Sequence, residues 1–321
     1  MNALVSHKPI RFSYFTEHHL FVKNCPLIQL NSVIEELAGI LYENQVNLIH
    51  GLISAPEYGF KQWNQLIDGQ FDEPNWPIIW INSRTQNETF SGYFYGLSGI
   101  SVLTLQSDFY LSKLFTTRDA RFLFCGRIIA EDQHADLKQQ YQEIKQHQQA
   151  ALQFSEMNEN HTVQTWNYVV EAEQKDQAAH DSKNDLELVN SITGINTPHA
   201  LGMVSCSWAI CPMTKGLQLK KLELNDDFSG LEIRTENYSK LLVNGRFNPS
   251  QTNQFIKSLE LLLKKNGYTW HNLVRGIFWI PDGFNIKELK EILKSNKIPM
   301  YPQLMMDYEH SIVTWEADFV K

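Results

Sequence analysis

The sequence predicts an α+β fold made of two similar units in tandem, each a sheet with helices packed on one face. Three observations support this prediction. The chain has 321 residues, 43% of them hydrophobic, enough for a large buried core and about two domains. An order of apolar strand, amphipathic helix and second strand occurs twice along the chain. After the second occurrence another helix and a closing strand follow, an order typical of α+β sheets.

The first copy opens with an apolar strand at residues 121–129, which is interrupted by Gly126 and Arg127. A helix is predicted within residues 132–156, because apolar side chains recur there at helical spacing: Leu137, Tyr141, Ile144 and Ala151. A β-prone run at residues 162–170 completes the copy.

The second copy repeats this order. Its opening strand, at residues 240–247, contains another Gly-Arg pair, Gly245 and Arg246. The helix runs from about residue 251 to residue 265, with apolar side chains on one side and an Asn-Gly stop signal after it. The strand that follows occupies residues 273–280.

The segments around the copies complete the predicted organisation. A short helix at residues 285–293 leads to a last strand at residues 311–320. Between the copies, residues 171–185 form a polar, charged run that we expect to be solvated. We therefore place an N-terminal domain at residues 1–185 and a C-terminal domain at residues 186–321.

The first 115 residues read as an irregular extension of the N-terminal domain. Within them we predict one helix, at residues 30–42, and one strand, at residues 76–81. Glycines interrupt residues 92–105, but the segment lacks the strand, GxGxxG and helix order of a dinucleotide site. We interpret these glycines as strand or bulge positions.

Composition excludes several classes of function. With 28 basic and 36 acidic residues the net charge is -8, which opposes nonspecific binding of nucleic acid. A small anionic ligand would need a local basic pocket. No run of about 18 apolar residues and no apolar N-terminal segment occurs, so we expect no membrane partner and a cytoplasmic protein. The four cysteines form no disulfide pattern, and we expect buried, reduced thiols.

The eleven histidines invite a metal interpretation, but their spacing shows no recurring set of ligands. His18 and His19 are adjacent and would point to opposite faces of a strand. We interpret them as surface residues. The sequence therefore predicts neither a metal site nor an organic cofactor.

Two families share motifs with the C-terminal two thirds of the chain. Residues 241–321 resemble the reactive-intermediate deaminase (Rid/YjgF) fold, also described as chorismate-mutase-like, in their order of strands, helices and Asn-Gly stop. The duplicated order, together with residues 163–169 and 190–196, is more similar to the chorismatases. Those enzymes cleave the enolpyruvyl ether of chorismate to pyruvate and a hydroxylated ring acid. The resemblance therefore implies a biosynthetic enzyme, and it covers about residues 121–321.

This resemblance implies a site for a small-molecule carboxylate. Chorismate carries two carboxylates, which the planar guanidinium of Arg binds bidentately. Arg275 lies on the strand where the fold presents such an arginine. Tyr168 and Asn196 are expected to orient the ring, and Gly194 lies where the related enzymes tune their product.

Enol-ether hydrolysis also needs an acid that protonates the methylene carbon. The closing strand of the family reads approximately Leu-Val-Glu-Ile-Glu. Here Thr314 takes the position of the first glutamate and Glu316 that of the second acidic residue. Side chains alternate along a strand, so both face the same side, about 7 Å apart. We expect Glu316 to be the proton donor.

The remaining basic positions do not identify the substrate. Arg127 and Arg246, each after a repeat glycine, are further carboxylate-binding candidates, although either could pair with a local acid. Gln164 stands where chorismatases often have an arginine, and residues 180–185 lack another. A catalytically degenerate homologue that binds a small acid or a protein partner is therefore the alternative. Rid-type imine hydrolysis is a third interpretation, opposed by the chain length. Family analogy implies a homo-oligomer, a trimer.

Overall fold

The computed structural model describes residues 3–71, 75–83, 88–170, 187–193, 195, 197–225, 228–236, 239–281, 284–300, 303–308 and 312–321. Within these ranges the chain forms 17 strands, β1–β17, and five α-helices, α1–α5. It divides into two compact units, unit 1 at Met1–Lys215 and unit 2 at Gly216–Lys321. The domain boundary predicted at 185/186 falls on residues outside the described ones.

Unit 1 begins with sheet A and its two helices. The elements are β1 (Val5–Arg11), β2 (Thr16–Pro26), α1 (Leu30–Glu43), β3 (Asn47–Ala55), α2 (Glu57–Gln70), β4 (Ile78–Asn82) and β5 (Thr89–Ser98). The strand order is β1-β2-β5-β3-β4. The expectation of an irregular extension was therefore wrong for these residues. The sequence pattern did not predict these strands, because buried positions such as Glu17 and His19 hold polar side chains that do not count as apolar in the alternation.

Unit 1 continues with sheet B, which contains the first sequence copy. Its elements are β6 (Val102–Gln106), β7 (Leu111–Thr116), β8 (Ala120–Ile129), α3 (Leu137–Phe154), β9 (Thr162–Val169), β10 (Leu188–Thr193) and β11 (Met203–Pro212). The strand order is β10-β9-β11-β8-β7-β6. The predicted strand, helix and strand of this copy are confirmed.

Unit 2 contains sheet C and the second sequence copy. Its elements are β12 (Gln218–Asn225), β13 (Phe228–Arg234), β14 (Ser239–Phe247), α4 (Thr252–Lys265), β15 (Leu273–Pro281), α5 (Ile286–Ser295), β16 (Gln303–Tyr308) and β17 (Val313–Val320). The strand order is β12-β13-β14-β17-β15-β16. The short helix and the closing strand predicted for this region are also confirmed.

All three sheets share one connectivity. In each, the last strand lies between the two strands that flank the first helix, and one parallel strand pair lies at an edge: β3/β4, β9/β10 and β15/β16. A register shift near the start of β3, β9 and β15 then places His50, Gln164 and Arg275 at equivalent positions. The predicted α+β fold of tandem units is confirmed, and sheet A adds a copy that sequence comparison missed.

The core of each sheet lies between the sheet and its helices. In sheet C, for example, Val243, Phe255, Leu259, Trp315 and Phe319 form one buried cluster. Because side chains alternate along a strand, the intervening residues lie on the opposite side, here called the helix-free face. No helix among the described residues has the length and apolar character needed to cross a membrane.

Candidate functional site

The helix-free face of sheet C brings several predicted site residues together. On β17, Trp315 and Ala317 pack into the core, so Thr314, Glu316 and Asp318 point to the other side. All three are buried, with 4%, 1% and 5% of their surfaces exposed. Three acidic or hydroxyl side chains therefore line one face of a single strand.

Arg275, on the neighbouring strand β15, joins this row. Its Nη2 donates to Asp318 Oδ1 at 3.0 Å and lies 3.5 Å from Glu316 Oε2. The register explains the contact, because Arg275 is directly opposite Asp318 and Ile277 is opposite Glu316. Burial makes such charge-assisted bonds strong, and it makes the loss of one partner costly.

Trp279 completes the arrangement around Glu316. Its Nε1–H donates to Glu316 Oε1 at 3.2 Å, and the indole is fully buried. The two carboxylate oxygens of Glu316 therefore receive donors from two different side chains on β15. A guanidinium, two carboxylates and an indole N–H therefore share one sheet face, and a carboxyl group in such a cluster can donate or accept a proton.

Thr314 and Arg246 lie at the next register position. Thr314 is directly opposite both Arg246 on β14 and Trp279 on β15. Unlike Thr314, Arg246 is exposed, and it lines a shallow cavity with Gln251 and Gln254 at the start of α4. Arg246 therefore does not join the buried row.

The other predicted site residues belong to unit 1. Tyr168 is buried on the helix-free face of β9, opposite Val204. Arg127 lies at the end of β8 with a positive φ of 49°. Gly194 and Asn196 lie outside the described residues. Unit 1 thus holds Tyr168 and Arg127, and unit 2 holds Arg275, Glu316, Thr314 and Arg246.

Unit 1 also contains a buried polar cluster that sequence analysis missed. His19 Nε2 lies 3.3 Å from Glu17 Oε2, and its Nδ1 lies 2.9 Å from the Tyr93 hydroxyl. The Tyr95 hydroxyl donates to Glu17 Oε1 at 3.0 Å. These four side chains are 4% exposed or less. With a neutral imidazole, Nε2–H donates to the carboxylate and Nδ1 accepts from Tyr93, an order suited to proton transfer.

The interpretation of His18 and His19 as surface residues is therefore wrong. They do point to opposite faces, since His18 contacts His7 Nε2 at 2.8 Å and Ser98 Oγ at 2.8 Å. Both rings are buried, His18 at 2% and His19 at 0% exposure. The local signal was the alternation of Glu17, His19 and Phe21 on β2, but their partners lie more than 70 residues away in sequence.

The cysteines and metal-ligand types add no further site. Cys125 is buried beside Ser112 and Ser207, and burial raises the pKa of its thiol to about 11, as for an inert thiol. Among the residues that the structure describes, no group of three or more His, Cys, Asp or Glu side chains is placed to hold a metal ion.

Comparison with known proteins gives a likeness at the level of the fold. No protein-family model and no curated protein sequence matches the chain. The crystal structure of a chorismatase matches with a TM-score of 0.53 over 85% of this chain and 92% of that chain, at 8% identity. A putative translation initiation inhibitor from Salmonella typhimurium matches 35% of this chain and 98% of its own, with a TM-score of 0.28 and 9% identity. An uncharacterized protein from Pseudomonas aeruginosa covers 34% and 97%, with a TM-score of 0.27 and 9% identity. The chain therefore has a chorismatase-like fold.

Proposed function

We propose that this chain is a chorismatase-like enzyme. It would cleave the enolpyruvyl ether of chorismate, or of a related cyclohexadiene carboxylate, to pyruvate and a hydroxylated ring acid in a biosynthetic pathway. The observation that carries the proposal is the buried contact of Glu316 with Arg275 and Trp279, in a chain with a chorismatase-like fold. The substrate would be a small carboxylate. We also propose that the protein is cytoplasmic and, by analogy, forms a homotrimer. We propose no nucleic-acid or membrane partner.

The proposed chemistry assigns a role to each residue in this row. Glu316 would protonate the terminal methylene carbon of the enol ether, which produces an oxocarbenium ion. Water would then add to the central carbon of the oxocarbenium ion and return a proton to Glu316. The resulting hemiketal would collapse to pyruvate and the ring alcohol. Arg275 would bind a substrate carboxylate, with Asp318 holding its guanidinium in place.

A non-catalytic homologue that binds a small acid or a protein partner is the second candidate. Two observations favour it. Thr314 takes the position of the family glutamate, and both oxygens of Glu316 already receive donors from Arg275 and Trp279. A carboxyl group engaged in this way must exchange a partner before it can reach a substrate.

The experiment that separates the two is a pyruvate-release assay. Purified protein is incubated with chorismate, and pyruvate is followed with lactate dehydrogenase; binding is followed in parallel by the thermal shift with chorismate. Glu316→Gln removes the proton donor while keeping a hydrogen-bonding side chain, so we expect at least a hundredfold loss of pyruvate release with binding retained. The matched control is Glu260→Gln on the exposed side of α4, which should keep the wild-type rate.

Each outcome decides between the candidates. Pyruvate above the spontaneous background that disappears in Glu316→Gln supports the enzyme and its acid. Full activity in Glu316→Gln rejects that assignment of the acid. A thermal shift without pyruvate supports the non-catalytic homologue, and no response in either assay rejects chorismate as the ligand.

A further inference from the structure

Unit 2 contains an open cavity of about 220 Å³ at one edge of sheet C, between strands β12 and β13 and the end of helix α4. It is smaller than the pockets of drug-sized ligands, which begin at roughly 300 Å³, so it suits a small ion or one group of a larger molecule. Three cationic side chains, one carboxylate and two amides line it: Gln218, Lys220, Glu232, Arg234, Lys265 and Asn266. The lining therefore carries a net positive charge.

The pairing of β12 with β13 places four of these residues on one face of the sheet. Gln218 is opposite Arg234, and Lys220 is opposite Glu232. Side chains two residues apart share a face, so all four point to the same side as Leu222, which belongs to the buried cluster under the helices. The cavity therefore lies on the helix side of sheet C, opposite to the helix-free face.

A buried carboxylate holds the arginine of the cavity in place. Glu232 is 4% exposed, and its Oε1 accepts from Arg234 Nη2 at 2.8 Å. The same oxygen accepts from Ser239 Oγ at 3.2 Å and from Tyr268 Oη at 3.3 Å, so several donors share its negative charge. This contact uses only part of the guanidinium of Arg234, which is exposed and can still donate to two oxygens of an anion.

The two lysines of the cavity have no acidic partner in the part of the chain that the structure describes. Lys220 and Lys265 are exposed, and no carboxylate among those residues lies at ion-pair distance from either ammonium group. An anion placed between them and Arg234 would be attracted by all three cations. On a chain with a net charge of -8, this cavity is the local basic pocket that a small anion needs.

The end of α4 would by itself oppose an anion, because carbonyl groups at a helix C-terminus carry partial negative charge. Here Lys321 offsets that charge. Its Nζ donates to the carbonyl oxygen of Asn266 at 2.9 Å and lies 3.4 Å from that of Gly267. The side-chain amide of Asn266 in turn donates to the carbonyl oxygen of Leu262 at 2.9 Å. Carbonyl groups at this helix end therefore already have hydrogen-bond donors.

We propose that this cavity binds a phosphate dianion, either inorganic phosphate or the terminal group of a small organic phosphate. Three cations and one carboxylate leave an excess of two positive charges, which matches the charge of about -2 on a phosphate group near neutral pH. The planar guanidinium of Arg234 binds two phosphate oxygens, and Lys220 and Lys265 contribute point charges from the strand and the helix. The site does not depend on the reaction proposed for the helix-free face.

The test is calorimetric titration of the full chain with inorganic phosphate and, in a parallel arm, with glycerol 3-phosphate. We expect saturable binding of phosphate. Acetate should bind about tenfold more weakly, because it carries one charge instead of two. Tighter binding of glycerol 3-phosphate than of phosphate would identify an organic phosphate as the ligand, and equal or weaker binding would identify the phosphate ion.

Two pairs of neighbouring lysines provide matched variants. Lys220→Gln and Lys265→Gln each remove an exposed cation from the cavity and should weaken phosphate binding about fivefold, with the melting temperature unchanged. Lys221→Gln and Lys264→Gln make the same change of charge at residues that do not line the cavity, and they should leave binding unchanged. The proposal is overturned if phosphate shows no saturable binding, if acetate binds as tightly, or if Lys264→Gln weakens binding as much as Lys265→Gln.

Discussion

Lys113 shows how one buried side chain affects the stability of its unit. It is opposite Phe124 on the helix-free face of β7, with 6% of its surface exposed, and its Nζ donates to Thr104 Oγ1 at 2.7 Å. Burial lowers the pKa of Lys113 to about 8 from an ordinary value near 10.5. The folded state therefore releases a proton that the unfolded state retains at moderately alkaline pH.

This difference predicts a stabilising substitution. Lys113→Met removes the buried ammonium, so we expect the free energy of unfolding at pH 7 to rise by up to about 3 kcal/mol. The advantage should shrink between pH 8 and pH 10.5, because wild-type stability increases as the folded state loses its proton and the unfolded state keeps it. Urea denaturation across this range measures both effects. The control is Lys138→Met, at an exposed position of α3. The prediction would be contradicted if the free energies of unfolding of Lys113→Met and the wild type changed equally with pH.

At the scale of one element, two glycines differ in the space around them. In helix α1, a Cβ added to Gly39 would meet no atom within 4 Å. In strand β14, a Cβ added to Gly245 would lie 2.5 Å from Phe255 Cε2. The Phe255 ring is held between Phe228 at 4.5 Å and Phe247 at 4.0 Å, so it has little freedom to move away.

We therefore expect opposite results from the same substitution. Gly39→Ala should stabilise the protein by about 1 kcal/mol, because Ala loses less backbone entropy in a helix. Gly245→Ala should destabilise it by about 1–3 kcal/mol through overpacking. Urea denaturation of the two variants measures both shifts. If Gly245→Ala is neutral, then the aromatic stack around Phe255 is more adaptable than its contacts indicate.

At the scale of the whole molecule, histidines make unit 1 sensitive to acid. The pKa of His18 is lowered to about 4 by burial and by the neighbouring His7 and His19, and burial also lowers the pKa of His7 and His199. In each case the unfolded state binds a proton at a higher pH than the folded state. Stability is therefore complete above pH 6.5 and decreases as the pH falls toward the folded pKa.

For His18 alone, this loss reaches about 3 kcal/mol by pH 4. We expect hydrogen exchange, corrected for intrinsic rates, to show a greater loss of protection in residues 1–215 than in residues 216–321 between pH 7 and pH 5. His18→Gln retains a partner for Ser98 and should reduce that loss. An equal decrease in both units would show that acid acts through other groups.

Several parts of this fold follow from local pattern. The strand, helix and strand of sheets B and C were predicted within a few residues of their bounds. The reason is that apolar residues recur on the buried side of each element, at the period of a helix or a strand. Sheet A was not predicted, although residues 48–51, Leu-Ile-His-Gly, are similar in sequence to residues 273–276, Leu-Val-Arg-Gly. Its strand β2 contains Glu17, His18 and His19, which are polar in sequence but buried in the fold.

The α+β class, the tandem copies and the shared face of Thr314 and Glu316 can be predicted from the residue pattern alone, because each depends on the periodicity of the backbone. Which side chains meet depends on how the strands are arranged in the folded chain. Arg275 reaches Glu316 across 41 residues of sequence, and His19 reaches Tyr93 across 74. Such contacts depend on strand order and register, which a periodic pattern does not contain. The same holds for Arg127, whose left-handed bulge is visible only once β8 is paired with β11.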